Sequence, residues 1–577
     1  MKLIKRPLFW LVVILLVASF LRLWKLGTVP VSLFGDELDV GYQAYSILKT
    51  GRDYYGNFLP LHFHSLAEYR TPLFLYSAVP TVAVFGISAW GVRLPAAIFG
   101  ILGVWAMYLL IKELIREREE KVREGIALLS AAVLAFSPWH IQYSRAAFEV
   151  TQLLFLLLIG LYFFFRGIRS GKYLWVSALC FVLTPWVYST AKLFTPILLL
   201  FLLLVWRKEI FSLPKKYLLW AVITLAVIGA PVAYSTLFGG GAQRYGYVSV
   251  FSDPTTEPEV GTARFVDARA RGEKGTGLNP TLVDRAIHNK FTFWGKNVIW
   301  NYLQPFSSDF LFNRGDPNLR HSLEGMGMFF KVEAVALIVG LALYFTDKGQ
   351  DRKLKMLIGF WILAGVIPAA ITRDGGNHAT RLILILPPLV FLIAYGIIAG
   401  LNLFKGKTRI LVGLLYLGMF MACFFFYQHN YWVHNPTYSE RWWHTGYGEA
   451  IKTIKSIQGD YDKVVISTAN EPPWVFFAGW YEYPPGDWQK NFPTEHKKML
   501  ENVGEVSYID KFYFGSYGGN MYDWGKLFNK KTLYLAVAKE VGVNLILEPQ
   551  RTPGDLNLLK TIAYPSGEPA FYLFTGR

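Results

Sequence analysis

The sequence predicts a mainly α, polytopic membrane protein of about eleven transmembrane helices, with interfacial helices and a C-terminal soluble α/β domain. Three observations carry that reading. Apolar residues make up 53% of a 577-residue chain and gather in blocks of roughly 15 to 22 residues between short charged loops, the pattern of repeated bilayer crossings. Five short basic loops, 112–123, 166–172, 207–216, 348–355 and 405–409, fall at alternate block ends. After residue 430 the long apolar blocks stop, and short strand-like runs alternate with amphipathic stretches.

Placing the five basic loops on the cytoplasmic side, with the N-terminus, gives spans near 7–26, 91–111, 125–139, 150–167, 173–189, 193–206, 217–236, 329–346, 354–371, 381–400 and 410–427. The N-terminus is then cytoplasmic and the C-terminal domain extracytoplasmic in a multi-pass protein of the cell membrane. Residues Pro7 to Trp24 follow Lys2, Lys5 and Arg6, and no small-residue cleavage site stands before Arg22 and Lys25, so they read as an uncleaved signal anchor. Residues 71–86 are apolar but carry Pro72 and Pro80. Counting them as a crossing would invert every later basic loop, so they are expected to lie in the interface.

Outside, the expected first loop (27–90) carries Asp36-Glu37, Asp39, Asp53, Glu68 and Arg70. A long loop (237–328) opens with Gly239-Gly240-Gly241, and its stretch 279–306 has aromatics at helical spacing suited to a second interfacial helix. The division expected is a transmembrane domain over 1–430 and an α/β domain over 431–577. In the latter, 463–467, 508–510 and 543–547 read as strands, and 447–457 and 533–541 as helices. No glycine-rich phosphate loop follows any of these strands.

The formal charge of +17 raises the question of nucleic acid. Residues 237–328 hold ten Lys/Arg against nine Asp/Glu, and residues 428–577 hold fifteen against sixteen. The whole excess therefore sits in the membrane part, where it is a topology signal, and nucleic-acid binding is not expected. The two cysteines, Cys180 and Cys423, lie inside apolar blocks, which excludes a disulfide framework and a cysteine zinc site. No HxxxH or Asp/His cluster shows metal-ligand spacing, so no metal site is expected and nothing indicates a divalent cation.

On this topology Asp36, Glu37, Arg145, Glu149, Lys192, Arg373, His378 and Arg381 all fall at the outer ends of spans, as single charges among Trp, Tyr, Pro and Gly. Six of them have an ordinary alternative: a helix N-terminal charge for Asp36-Glu37 and Glu149, snorkelling for Lys192 and Arg381, a loop position for His378. Their convergence suggests a pocket in which acids face cations. A carboxylate there suits deprotonation of an acceptor hydroxyl, and the cations suit a departing phosphate. With no nucleotide sugar outside, the donor would be a lipid-linked phospho-sugar.

The stretch Phe34-Gly35-Asp36-Glu37, Tyr42, Ala44, Thr50-Gly51-Arg52-Asp53, Gly56, Pro72-Leu73, Tyr76, Phe85-Gly86, Arg93-Leu94-Pro95, with Ser137-Pro138, Tyr143-Ser144-Arg145, Glu149, Arg381 and Pro387, resembles the GT-C glycosyltransferases. The branch is that of the protein O-mannosyltransferases and the aminoarabinose lipid A transferases. The resemblance implies a GT-C fold over residues 1–430 and inverting transfer of a monosaccharide from a polyprenyl-phosphate donor to a glycan, lipid or protein acceptor, with no obligatory cofactor. It implies Asp36 as catalytic base, Glu37 as its neighbour at the site, and Arg145, Lys192 and Arg381 as candidates for the lipid phosphate. Glu149 stands where the family often has Asp, and the tail lacks the β-trefoil character of the eukaryotic mannosyltransferases. The alternatives from other classes are a transporter or flippase of lipid-linked sugars, expected to show internal repeats and mid-membrane charges, and an envelope scaffold.

Overall fold

A helix stands at each of the eleven expected spans in the computed structural model, which describes residues 6–577 apart from 66–68, 240–242, 276–278 and 493. Lys2, Lys5, Glu68, Gly240 and Gly241 lie outside the described residues. Helix α1 (Pro7–Leu23) is followed by α2 (Gly35–Thr50), α3 (Pro72–Phe85), α4 (Ala89–Leu114), α5 (Glu120–Phe136), the short α6 (Pro138–Ser144) and α7 (Val150–Ser170). Next come α8 (Leu174–Val187), α9 (Ala191–Val205), α10 (Lys215–Phe238), α11 (Lys290–Leu303), α12 (Lys331–Thr346), α13 (Arg352–Gly365), α14 (Leu386–Asn402) and α15 (Gly406–His429). Among the described residues six helices are long and apolar enough to cross a membrane, and α5 with α6, bent by 60°, makes a seventh. The 71–86 segment forms α3, which buries Phe74, Leu75 and Ala78. The 279–306 stretch contains α11, which leaves Phe291, Ile299 and Trp300 exposed.

The two ends of the bundle differ in chemistry. At one end the basic loops are tied to one another by ion pairs: Arg169 with Glu113, Arg118 with Asp347, and Lys353 with Glu209. At the other end single buried charges are fastened to backbone. Arg22 donates to the carbonyls of Ala18 and Ala135, and Arg145 to those of Leu21 and Val29. Helices α12 and α14 cross at backbone contact. A Cβ on Gly396 would stand 1.9 Å from the carbonyl oxygen of Ala336, and one on Gly340 2.0 Å from that of Leu392, so only glycine fits at this crossing.

The C-terminal part is built on α16 (Tyr447–Ile457), α17 (Trp474–Tyr481) and a seven-stranded sheet. Its strands are β1 (Lys463–Ile466), β2 (Lys497–Leu500), β3 (Gly504–Ile509), β4 (Phe512–Phe514), β5 (Thr532–Val537), β6 (Leu556–Ala563) and β7 (Pro569–Gly576), in the order β2-β3-β4-β1-β5-β7-β6. Strand β1 runs parallel to both its neighbours; every other pairing is antiparallel.

Two expectations are corrected here. Residues 533–541 are mostly strand β5, followed by a single turn of helix over Ala538–Val541. All six residues of β5 are buried, and a strand buried on both faces has the continuous apolar run that cannot be told from a buried helix by period. Residues 543–547 are a turn, because the Asn544 side chain accepts from the N–H groups of Ile546 and Leu547 and folds the chain on itself.

This C-terminal part packs on α2. Leu38, Tyr42 and Tyr54 share one apolar cluster with Trp474, Phe477 and Trp488. The Tyr42 hydroxyl donates to the Tyr483 carbonyl at 2.9 Å. Gln489 Nε2 reaches Ser46, Thr50 and the Asp53 carbonyl.

Candidate active site

Helix α2 places Asp36 and Glu37 in its first turn, where carboxylates are favoured by the helix dipole. Successive helical residues point about 100° apart, so the two acids face different surroundings. The Asp36 side chain is 50% exposed, with Arg70 Nη2 at 3.7 Å from its Oδ2. Glu37 is wholly buried. It takes two hydrogen bonds of 2.8 Å from Arg93 and a third from the Ala147 N–H at 2.9 Å. Arg93 spends its other donors on the carbonyls of Pro30 and Ser32. Glu37 thus joins the first loop, the start of α4 and the turn before α7, and does not share the open surroundings of Asp36.

Arg70 is itself aimed by Asp39. Its Nη1 donates to Asp39 Oδ2 at 3.3 Å and to the Asp36 carbonyl at 3.2 Å. Asp39 also accepts from the hydroxyls of Tyr54 and Ser65, at 2.6 and 2.8 Å. Burial pushes the Asp39 carboxyl up to about 6, against the opposing pull of Arg70 and the two hydroxyls.

Of the cations expected at the site, Lys192 and Arg381 line one cavity of about 360 Å³, whose other walls include Tyr188, Leu193, Val248, Pro368 and Ile371. Lys192 Nζ lies 3.3 Å from His62 Nε2, and His62 Nδ1 lies 2.5 Å from the Ser235 hydroxyl. Burial, then the Lys192 charge, pushes His62 down to about 4, so at neutral pH it is an acceptor for the lysine. Arg381 Nη1 donates to the Thr372 hydroxyl and the Arg373 carbonyl at 2.8 and 2.7 Å.

Arg373 and His378 line a second cavity of about 700 Å³ with Asn297, Asn301, Asp316 and His321. The turn that carries them admits only glycine at 375, where a Cβ would lie 1.8 Å from the Ala369 carbonyl oxygen. Arg145 is placed elsewhere. It is wholly buried, with Tyr431 and the carbonyls of Leu21 and Val29 as its partners. Glu149 is buried at the N-cap of α7.

One residue that sequence reasoning missed lines the second cavity beside Arg373 and His378. His321 is held by the Tyr143 hydroxyl at 3.0 Å and stacks on the Tyr143 ring. Burial, then the charges of Arg320 and Arg381, push it down to about 3, with Asp36 pulling the other way. His321 and its neighbour Asp316 come from the long loop, far in sequence from His378, and only the fold brings the three to one cavity.

The stretch 69–234 matches the family model described as dolichyl-phosphate-mannose-protein mannosyltransferase. The chain resembles the GT-C glycosyltransferases. The matched stretch contains Arg93, Glu149 and Lys192; Asp36 lies ahead of it, and Arg373, His378 and Arg381 beyond it. Two Bacillus subtilis (strain 168) proteins, each named "Putative mannosyltransferase", are similar in part. YkcB is 26% identical over 226 residues, which is 38% of this chain and 29% of that protein, and YycA is 25% identical over 170 residues, 29% of this chain and 22% of that protein. The match thus spans under a third of either relative's length. Among solved structures, ArnT from Cupriavidus metallidurans bound to undecaprenyl phosphate aligns over 98% of this chain and 97% of its own, at 11% identity and a TM-score of 0.49. The oligosaccharyltransferase AglB from Archaeoglobus fulgidus, in complex with an inhibitory peptide and a dolichol-phosphate, aligns over 82% of this chain and 63% of its own, at 15% identity and a TM-score of 0.49.

Proposed function

We propose that the protein is a membrane glycosyltransferase that moves a monosaccharide from a polyprenyl-phosphate donor to an acceptor hydroxyl on the extracytoplasmic face, with inversion. The observation that carries this reading is the pairing of Lys192 and Arg381 on one cavity with otherwise largely apolar walls. Two cations in an apolar recess suit a phosphate carried on a hydrocarbon chain, because the charge is met by fixed donors while the chain stays out of water.

In the proposed step the acceptor oxygen attacks the anomeric carbon and loses its proton to the Asp36 carboxylate. The bond from that carbon to the phosphate oxygen breaks on the opposite face, and the polyprenyl phosphate leaves with the electron pair, held by Lys192 and Arg381. Arg70 holds Asp36 in place. Glu37 acts at one remove, by fixing the first turn of α2 through Arg93. On this reading Arg373 and His378 line the acceptor side, and neither Arg145 nor Glu149 touches substrate. The acceptor is a cell-envelope glycan, lipid or protein.

The test is transfer from a radiolabelled polyprenyl-phosphate hexose by the full-length protein in proteoliposomes. Asp36→Asn is expected to abolish release of polyprenyl phosphate while expression and membrane insertion stay normal. Turnover within threefold of the unaltered protein would reject the assignment.

A further inference from the structure

Asp316, His321 and His378 converge at the wall of the larger cavity, each offering one ligand atom, all within 4.8 Å of one another. The long loop supplies two of them and the turn before α14 the third. We propose that these three side chains form a binding site for a divalent first-row metal ion of the zinc class.

The ligand set is of the right kind. Two imidazoles and one carboxylate bind zinc-class ions and leave a coordination position for a water or a substrate oxygen. Ligands about 2.1 Å from a tetrahedral ion stand about 3.4 Å apart, so closing from 4.8 Å asks less than about 1 Å of each side chain.

Their surroundings are those of a supported site. Metal-bound imidazoles commonly engage their second nitrogen elsewhere. His321 Nδ1 is engaged by the hydroxyls of Tyr143 at 3.0 Å and Thr380 at 3.3 Å, which leaves Nε2 as the nitrogen for the ion. Tyr143 also bonds Thr380 at 2.7 Å, so the support is fixed in turn. Asp316 is oriented by two backbone N–H groups, those of Asn318 and Ala379, at 2.8 and 2.9 Å. The Ala379 bond ties its carboxylate to the residue next to His378. The rings of His321 and His378 lie 5.2 Å apart, tilted by 40°, in contact but not stacked face to face.

This inference does not depend on the transferase reading, since its readout is the metal alone. The full-length protein in detergent is stripped with a chelator and then titrated with Co²⁺ and Zn²⁺. His429 and His434 lie 3.2 Å apart on the surface and offer an adventitious two-histidine site, so the reference is the His429→Ala/His434→Ala background. In that background one equivalent of Zn²⁺ per chain and the visible ligand-field bands of four-coordinate Co²⁺ are expected. Adding His321→Ala or His378→Ala should weaken binding by at least 100-fold. Asp316→Asn, which keeps an acceptor for a backbone N–H, should weaken it at least tenfold with unchanged thermal unfolding of the metal-free protein. Binding of less than 0.2 equivalent in the reference background, or a full equivalent retained by the His321→Ala/His378→Ala combination, would overturn the proposal.

Discussion

Glu37 and Arg93 meet through two parallel hydrogen bonds, Nε to Oε1 and Nη2 to Oε2, each 2.8 Å long, with both side chains wholly buried. A pair of this kind gains little over an apolar pair of the same shape, yet it is costly to break from one side. Glu37→Gln and Arg93→Met should each destabilise the protein by about 3–5 kcal/mol. The combination Glu37→Leu/Arg93→Met should cost less than the sum of its parts. Thermal unfolding in detergent, arranged as a double-mutant cycle, measures the coupling; additive losses would mean that the two groups do not depend on each other.

Lys192→Met and Arg381→Met should each weaken binding of a short-chain polyprenyl phosphate by about 10- to 100-fold, the range for losing a charge-assisted hydrogen bond. Lys192→Arg should retain most of the affinity. Calorimetric titration of the purified variants reads this directly, and unchanged affinity in both methionine variants would remove the phosphate from this cavity.

Asp39 gives a pH dependence of definite sign. Its carboxyl is raised by burial to about 6 from the ordinary 3.8, so between those values the folded chain holds a proton that the unfolded chain has released. The resulting stabilisation is complete below about pH 4 and is lost as the pH rises through about 6. Asp39→Asn removes the titration. Relative to that variant, the unaltered protein should lose stability between pH 4 and 7, by at most about 3 kcal/mol. Unfolding temperatures of the two proteins across that range provide the check; parallel curves would contradict the shift.

The contact between α2 and the C-terminal part should be visible in backbone dynamics. Gln489→Ala removes the link to Ser46, Thr50 and Asp53, and Tyr42→Phe removes one to Tyr483. Each should cost about 1–2 kcal/mol and raise hydrogen exchange across residues 35–50. Helices α12 and α14, remote from the contact, should be unaffected. A uniform rise in both regions would point to general loosening.

Helix positions in the membrane part were legible because each rests on a local property, a long apolar block between charged loops. The C-terminal part was only half legible. Tyr447–Ile457 was found to the residue, since its apolar positions repeat at helical spacing and all fall on one buried face. The fully buried β5 carries no period to read. At the site, Asp36 stood out because acids at an apolar boundary are rare, but nothing local separated it from Glu37. Which of two adjacent carboxylates is buried depends on Arg93, 56 residues away. Arg145 drew attention by the same rarity, although its partners are the Tyr431 hydroxyl and backbone carbonyls of distant segments. His321 gave no signal, because a single histidine in a polar loop has none. Its surroundings come from Tyr143, Thr380 and Asp316, which meet only after the chain has folded.

Helix α2 carries Asp36 at its start and the C-terminal part along its side. Lifting that part away would lay bare Tyr54, Trp474 and Trp488 at once, so it serves as a fixed wall and not as a swinging door. The helix is thereby clasped between α3 and α4 and a standing edge.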